Sequence, residues 1–237
     1  MTTAMAMKSR AAERGVGRSG RPSRDQAGEV EERILDAAQG VFLERGLEGA
    51  SVDEIAGVAH AGKPTIYARY PHKEALFSAV MERMVQRRSE IMAAGRLSAE
   101  AGSTIEERLT VFATLILQTA LVDETIDLVR VAVAEARRFP NVASSVHRLV
   151  RERGATEIAQ LLGELAGSGD KARIPALAPD RLLELARRFA ELVVQPMMMR
   201  ALFGEDLATL RAEIGPHVQQ AVDFFVAAGG HGGGARP

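Results

Sequence analysis

The sequence contains no cysteine, which excludes a disulfide framework, a thiolate zinc site and any sensing of oxidants through a thiol. Its five histidines, His60, His72, His147, His217 and His231, fall at no metal-ligand spacing, so neither a metal nor a cofactor is expected. No nucleophile with an adjacent base and no paired carboxylates can be picked out, which argues against an enzyme. Strand-like alternation and internal repeats are missing, leaving an all-α fold. Long apolar runs are missing too. The longest, Leu109 to Val122, is interrupted by Thr110, Thr114, Gln118 and Thr119 and falls short of the roughly 18 residues a spanning helix needs, so no membrane association is expected. Met1 to Gln26 holds no apolar stretch of signal-peptide length, and the expectation is a cytoplasmic protein. A general basic excess is also lacking, the net charge being -1.

What is present is positive charge in two places and enough apolar surface, 46% of residues, for a sizeable core. Lys8, Arg10, Arg14, Arg18, Arg21 and Arg24 have only Glu13 for company, and His60 to Lys73 holds Lys63, Arg69 and Lys73 with no carboxylate. Residues 1–26, rich in Gly, Arg and Ser without helical period, read as a flexible basic arm, equally a solvated tail or a minor-groove tracker. From Glu29, Ile34, Ala37, Ala38, Val41 and Phe42 recur at helical spacing, and Gly46 follows where a left-handed cap would sit. Ser51 to Glu54 form a capping box for a short helix with Val52, Ile55, Ala56 and Ala59 on one face. Gly62 breaks the run, Lys63 to Tyr70 make a third short helix, and a long one begins near His72 after Pro71. Further helices are expected from Ser103/Thr104 to about Val122, from Asp123 to Phe139, and from Asn141 to Ala166. After a loop over Gly167 to Pro179, one kinked at Pro196 runs from Asp180 to Phe203, and a last one covers Leu207 to Ala227, with a restart near Pro216.

On a helical wheel, Ile66 and Tyr70 fall together on one side of the third short helix, with Pro64, Thr65 and Ala68 opposite. One face is core and the other is thin. Small side chains there let the backbone sink into a major groove, while Lys63 and Tyr67 on one edge and Arg69 on the other reach toward phosphates, and Lys73 joins the next helix N-terminus.

The stretch Ile34 to Phe77, ILDAAQGVFLERGLEGASVDEIAGVAHAGKPTIYARYPHKEALF, resembles the DNA-binding domain of the TetR family of repressors. The resemblance implies that Thr65, Tyr67 and Lys73 contact operator DNA, that Lys63 and Arg69 assist, and that Ile66 and Tyr70 anchor the reading helix. With Ser51, Pro64 and Ala68 these form the candidate DNA-binding set. His60, Gly62 and Pro64 depart from the family pattern of glycine in the turn, a serine cap, and glycine after it.

Asp127 to Val146, DLVRVAVAEARRFPNVASSV, is similar to the AefR-like branch on Glu135, Arg138, Phe139 and Pro140. The organisation expected is an arm at 1–26, a helix-turn-helix domain at 27–75, a helical ligand-binding and dimerisation domain at 76–228 and a glycine-rich tail at 229–237. The resemblance implies a homodimer across the last two helices, with Phe189, Val193, Met197, Val218, Val222 and Phe225 at the interface. Periodicity alone fits an internal core equally well. A small apolar effector is expected among Leu117, Leu121, Val131, Glu135 and Phe189. Met197 to Met199 read as core or interface before pocket, and Arg130, Glu135 and Arg138 as a structural ion-pair group before a ligand clamp.

Overall fold

The computed structural model describes residues 24–97, 104–167 and 179–230. The expected arm, inter-helix loop and tail lie outside these residues except at their edges. Among the described residues the elements are helices and one short 3-10 turn at Pro179–Arg181: α1 (Arg24–Gly49), α2 (Val52–Val58), α3 (Lys63–Tyr67), α4 (Lys73–Leu97), α5 (Ile105–Ala120), α6 (Asp123–Ala134), α7 (Pro140–Gly167), α8 (Leu182–Leu202) and α9 (Leu207–Gly230).

α1 starts five residues before the Glu29 expected from the apolar period, because that period marks only where burial begins. Its regular course breaks at Gly46, whose φ of 71° and ψ of 176° suit a residue without Cβ. α6 stops at Ala134 rather than Phe139. Tighter bonds, Ala136 N–H to the Val133 carbonyl at 3.2 Å and Arg138 N–H to the Glu135 carbonyl at 3.0 Å, turn the chain so that Pro140 can open α7 without a missing donor. α8 runs through Pro196 and α9 through Pro216 as continuous helices. His217 Nε2–H of α9 donates to the Val193 carbonyl of α8 at 2.9 Å, one turn before Pro196.

Two apolar cores result. The smaller joins α1, α2, α3 and the first half of α4 to Leu128 and Ala132 of α6 and Val146 of α7. Within it Phe42 of α1 meets Phe77 of α4 edge to face at 5.2 Å, both fully buried. The larger gathers α5, α7, α8 and α9 around Leu117, Phe189 and Val218. Thr104 caps α5 in a reciprocal box with Glu107, at 3.2 and 2.8 Å. α4, α6 and α7 contribute to both cores, so they tie the two halves together.

The α8–α9 corner is held by charge. Arg200 bonds Glu205 and Glu213, the latter at 2.6 Å, which raises the guanidinium above its ordinary range and holds the Glu213 carboxyl below its own. Asp206 accepts from Thr209 N–H at 2.8 Å and Oγ1–H at 2.9 Å, and these bonds depress its carboxyl. Depressed carboxylates stabilise the fold above their unfolded pKa, about 4, and that contribution disappears as pH falls through the lower folded value. The groups are surface-exposed, so the effect is modest and salt-sensitive. Urea midpoints measured from pH 6 down to pH 3 are expected to fall less steeply for Asp206→Asn/Glu213→Gln than for the parent chain.

Candidate nucleic-acid interface

Ser51 caps α2 by accepting from Glu54 N–H at 3.1 Å. The expected box is only half made, because the Glu54 carboxylate pairs instead with Arg45 of α1 at 3.5 Å. α2 then ends in a six-to-one turn. Ala61 N–H bonds the Ala56 carbonyl at 3.0 Å and His60 N–H bonds the Gly57 carbonyl at 3.3 Å, with His60 itself at φ 48°. This histidine therefore occupies a left-handed position that glycine fills without strain. His60→Gly is expected to raise stability by roughly 0.5–1 kcal/mol, the relieved strain partly offset by the looser unfolded chain. Thermal or urea unfolding reads this directly.

Gly62 opens α3 in an extended conformation with no side-chain cap, and Pro64 falls in the first turn, where its missing N–H removes no helical bond. Ile66 is fully buried and Tyr70 nearly so, fixing the helix to the smaller core. The Tyr70 hydroxyl donates to Glu31 of α1 at 3.0 Å, and burial together with that bond pushes its pKa up to about 12. Lys63, Pro64, Thr65, Tyr67, Ala68 and Arg69 are all exposed. The outward face is thus Pro64, Thr65 and Ala68 in the middle with Tyr67, 47% exposed, at one edge.

The cations around this face are held by the protein itself. Lys63 pairs with Asp53 of α2 at 2.6 Å. Arg69 folds back to α1, donating to the Ala27 carbonyl at 3.3 Å beside Glu31. Lys73 is half-buried and donates to the carbonyls of Glu48 and Ala50, while His72 Nδ1 accepts from Ala75 N–H at 3.1 Å. The free N–H groups expected to join Lys73 on a phosphate are therefore partly satisfied. An exposed pair such as Lys63–Asp53 contributes at most about 1 kcal/mol, so its cation is easily redirected.

Behind this face lies a junction that sequence reasoning did not find. Glu135, at the α6–α7 turn, accepts from the backbone N–H of Glu48 at 3.1 Å. Arg138 pairs with the Glu48 carboxylate, and the Glu48 carbonyl takes Lys73. The turn between α1 and α2 is gripped from α4 and from the α6–α7 corner together. A glycine followed two residues later by a glutamate was the available signal, but its partners are 25 to 90 residues away in sequence. Arg130 serves a different corner, donating to the Ala201 and Leu202 carbonyls at the end of α8 and pairing with Asp127 at 2.9 Å.

Two expected residue sets are separated or internalised. Leu117, Leu121 and Phe189 are fully buried in the larger core, Val131 packs on the smaller one, and Glu135 belongs to the Glu48 junction, so the five are divided between different parts of the fold. The reason is that α6 turns its far end toward α1 rather than into the larger core. Phe189, Val193, Met197, Val218, Val222 and Phe225 are closed inside one chain, with Phe189 and Phe225 in edge contact at 4.8 Å. In the single chain their stripes face each other and the neighbouring helices. Among the described residues, the large apolar side chains exposed on or next to these helices are Leu183, Met199, Phe203 and Phe224.

Comparison with known proteins agrees with this architecture. Residues 34–80 match the family described as bacterial regulatory proteins, tetR family, and residues 107–230 match the AefR-like transcriptional repressor C-terminal domain. The HTH-type transcriptional repressor SCO4008 of Streptomyces coelicolor is 45% identical over 51 residues, 22% of this chain and 27% of that protein. The activator FasR of Mycolicibacterium smegmatis is 37% identical over 76 residues, 32% of this chain and 35% of its own. The chain thus matches only about a third or less of the length of these curated relatives. A TetR-family regulator structure from Mesorhizobium loti covers 87% of this chain and 98% of its own, with TM-score 0.69 and 22% identity. The flavonoid-responsive regulator FrrA covers 85% and 97%, with TM-score 0.62 and 28% identity. A short exposed helix anchored on a small core, a larger helical domain behind it and both family matches lead to one conclusion: the chain belongs to the TetR family of bacterial regulatory proteins, with an AefR-like C-terminal domain.

Proposed function

We propose that this protein is a ligand-responsive transcriptional repressor that acts as a homodimer on a palindromic operator and is released by a small, largely apolar effector. The observation that carries the DNA-binding part is the exposed, uncharged centre of α3, Pro64, Thr65 and Ala68, standing on fully buried Ile66 and ringed by Tyr67, Lys63, Arg69 and Lys73. A groove-reading helix needs a thin neutral centre for base edges and thymine methyls, with polar edges for the backbone. Ser51, at the exposed start of α2, adds a hydroxyl beside that face. Repression is favoured over activation by the AefR-like repressor match over residues 107–230.

Two copies supply the symmetry a palindrome requires, with reading helices roughly 34–36 Å apart. The partner surface proposed is the outer side of α8 and α9 around Met199, Phe203 and Phe224, of which Phe203 is 85% and Phe224 62% exposed. Large exposed aromatics on neighbouring helices are uncommon on a monomer and favour burial between subunits. The division proposed is a DNA-binding unit over 27–75 and a ligand-binding and dimerisation unit over 76–228. All of this suits a protein of the cytoplasm, and no single described helix is long and apolar enough to cross a membrane.

Selection of binding sites from random duplexes, followed by gel-shift titration, tests the reading. A two-fold symmetric site bound by two chains is expected. Binding without sequence preference would refute operator recognition, and a monomeric complex would refute the dimer.

A further inference from the structure

The stretch from His60 to Lys73 brings three cations and no carboxylate, and folding supplies what the stretch lacks. Lys63 Nζ, at the first residue of α3, stands 2.6 Å from Asp53 Oδ1 of α2. At the other edge of α3, Arg69 Nε stands 4.0 Å from Glu31 of α1, and its terminal nitrogen donates to the Ala27 carbonyl. Lys73 gives its ammonium to the carbonyls of Glu48 and Ala50. Glu54, the neighbour of Asp53, is matched by Arg45 at 3.5 Å. In the free protein the surface around α3 is therefore close to neutral.

The carboxylates differ in what else they do. Glu31 accepts the Tyr70 hydroxyl at 3.0 Å and so holds the anchor of α3. Asp53 has one partner among the described residues, Lys63, and the two side chains stand 65% and 52% in solvent. α2 does not need Asp53 as its cap, since Ser51 Oγ already accepts the Glu54 N–H at 3.1 Å. An exposed pair of this kind shifts an equilibrium by at most about fivefold, so the fold does not depend on it. Its place is what matters, two residues past Ser51 and against the first cation of α3. On a duplex the phosphates compete for Lys63, so docking breaks the pair and leaves a carboxylate beside the DNA.

We propose that Asp53 sets the strength of DNA binding: it holds Lys63 in the free protein, competes with phosphate for it, and keeps affinity for DNA in general low. This assignment rests on the reading of α3 as the DNA-contacting helix and adds a residue whose charge works against binding. A regulator faces a great excess of non-operator DNA held by phosphate contacts alone, and offsetting one of its few cations shortens its stay there.

The test uses the full chain with two duplexes of equal length, one carrying the selected operator and one of random sequence, read by fluorescence anisotropy at several salt concentrations. At low salt Asp53→Asn is expected to tighten binding to both duplexes at least about fivefold, and to steepen the fall of log K with log salt by roughly 0.5–0.9, approaching one phosphate contact. Its melting temperature should stay within about 2 °C of the parent, as for loss of a weak surface pair. In a Lys63→Ala background there is no pair to break, and the same substitution should tighten binding less than about twofold, through the repulsion that remains. Glu152→Gln, which removes an exposed charge on α7, should change neither duplex. Unchanged or weaker binding by Asp53→Asn, an equal gain with and without Lys63, or an equal gain in Glu152→Gln would overturn the proposal. Selective operator binding by the parent with no gain in Asp53→Asn leaves the regulator reading standing and removes only the role of Asp53. A parent chain that binds neither duplex removes the regulator reading itself, and the role of Asp53 with it.

Discussion

Ala68→Glu is expected to weaken operator binding at least about 100-fold, close to 3 kcal/mol, while leaving the fold unchanged. Ala68 is exposed at the C-terminal end of α3, its own N–H bonded to the Pro64 carbonyl at 3.0 Å, so a longer side chain there disturbs no packing. In a groove, the same position brings a carboxylate between two rows of phosphates. Lys63 and Arg69 at the edges of α3 do not offset it, because in a groove both are drawn to the flanking phosphates. Ala68→Lys separates the two ways the variant could fail. If bulk alone prevents docking, Lys and Glu lose specific binding equally; if charge matters, Lys retains or gains non-specific affinity with a steeper salt dependence. Gel-shift titration at two salt concentrations, with melting temperature as control, decides this. Tight specific binding by Ala68→Glu would show that α3 does not present this face to DNA.

The helices, and the inward placement of Ile66 and Tyr70, were legible because each obeys a local rule: a 3.6-residue period, a capping hydroxyl, a proline at a first turn. The turn at His60 shows the limit of such rules. A histidine gives no sign of a left-handed backbone, yet the bonds of Ala61 to Ala56 and of His60 to Gly57 impose one, since α3 must leave α2 at that point. What stayed hidden depends on which of two apolar faces meets which. The stripes of α8 and α9 were visible, but a stripe facing its neighbour in the same chain has the same period as one facing a partner. Likewise Val131 lies on the same helix as Ile126 and Glu135 caps its end, yet only the tertiary course of α6 reveals that Ile126 enters the larger core while Glu135 reaches the α1–α2 turn. Charged contacts across 47 to 90 residues, such as Arg83 with Asp36 or Arg211 with the Leu121 carbonyl, leave no local pattern to read.

Gly46→Val is expected to lower unfolding free energy by about 2–3 kcal/mol and to impair operator binding well below the melting temperature. At φ 71° and ψ 176° the backbone occupies a region essentially reserved for glycine, and a β-branched side chain is least tolerated there. An added Cβ would also stand 3.4 Å from Glu135 Oε1, the atom that accepts the Glu48 N–H at 3.1 Å. Valine's extra methyls therefore press on the junction where α6–α7, α4 and the start of α2 are joined through Glu48. Removing the obstruction should relieve that part of the penalty. The double variant Gly46→Val/Glu135→Ala is expected to be at least about 0.5 kcal/mol more stable than the sum of the single effects predicts, the usual size of coupling between residues in contact. Strict additivity in urea unfolding would mean that Glu135 does not sense the turn. Coupling in stability together with operator affinity would place the α6 contact on the route by which a shift of the larger core reaches α3, because α6 enters that core at Ile126 and the smaller one at Leu128.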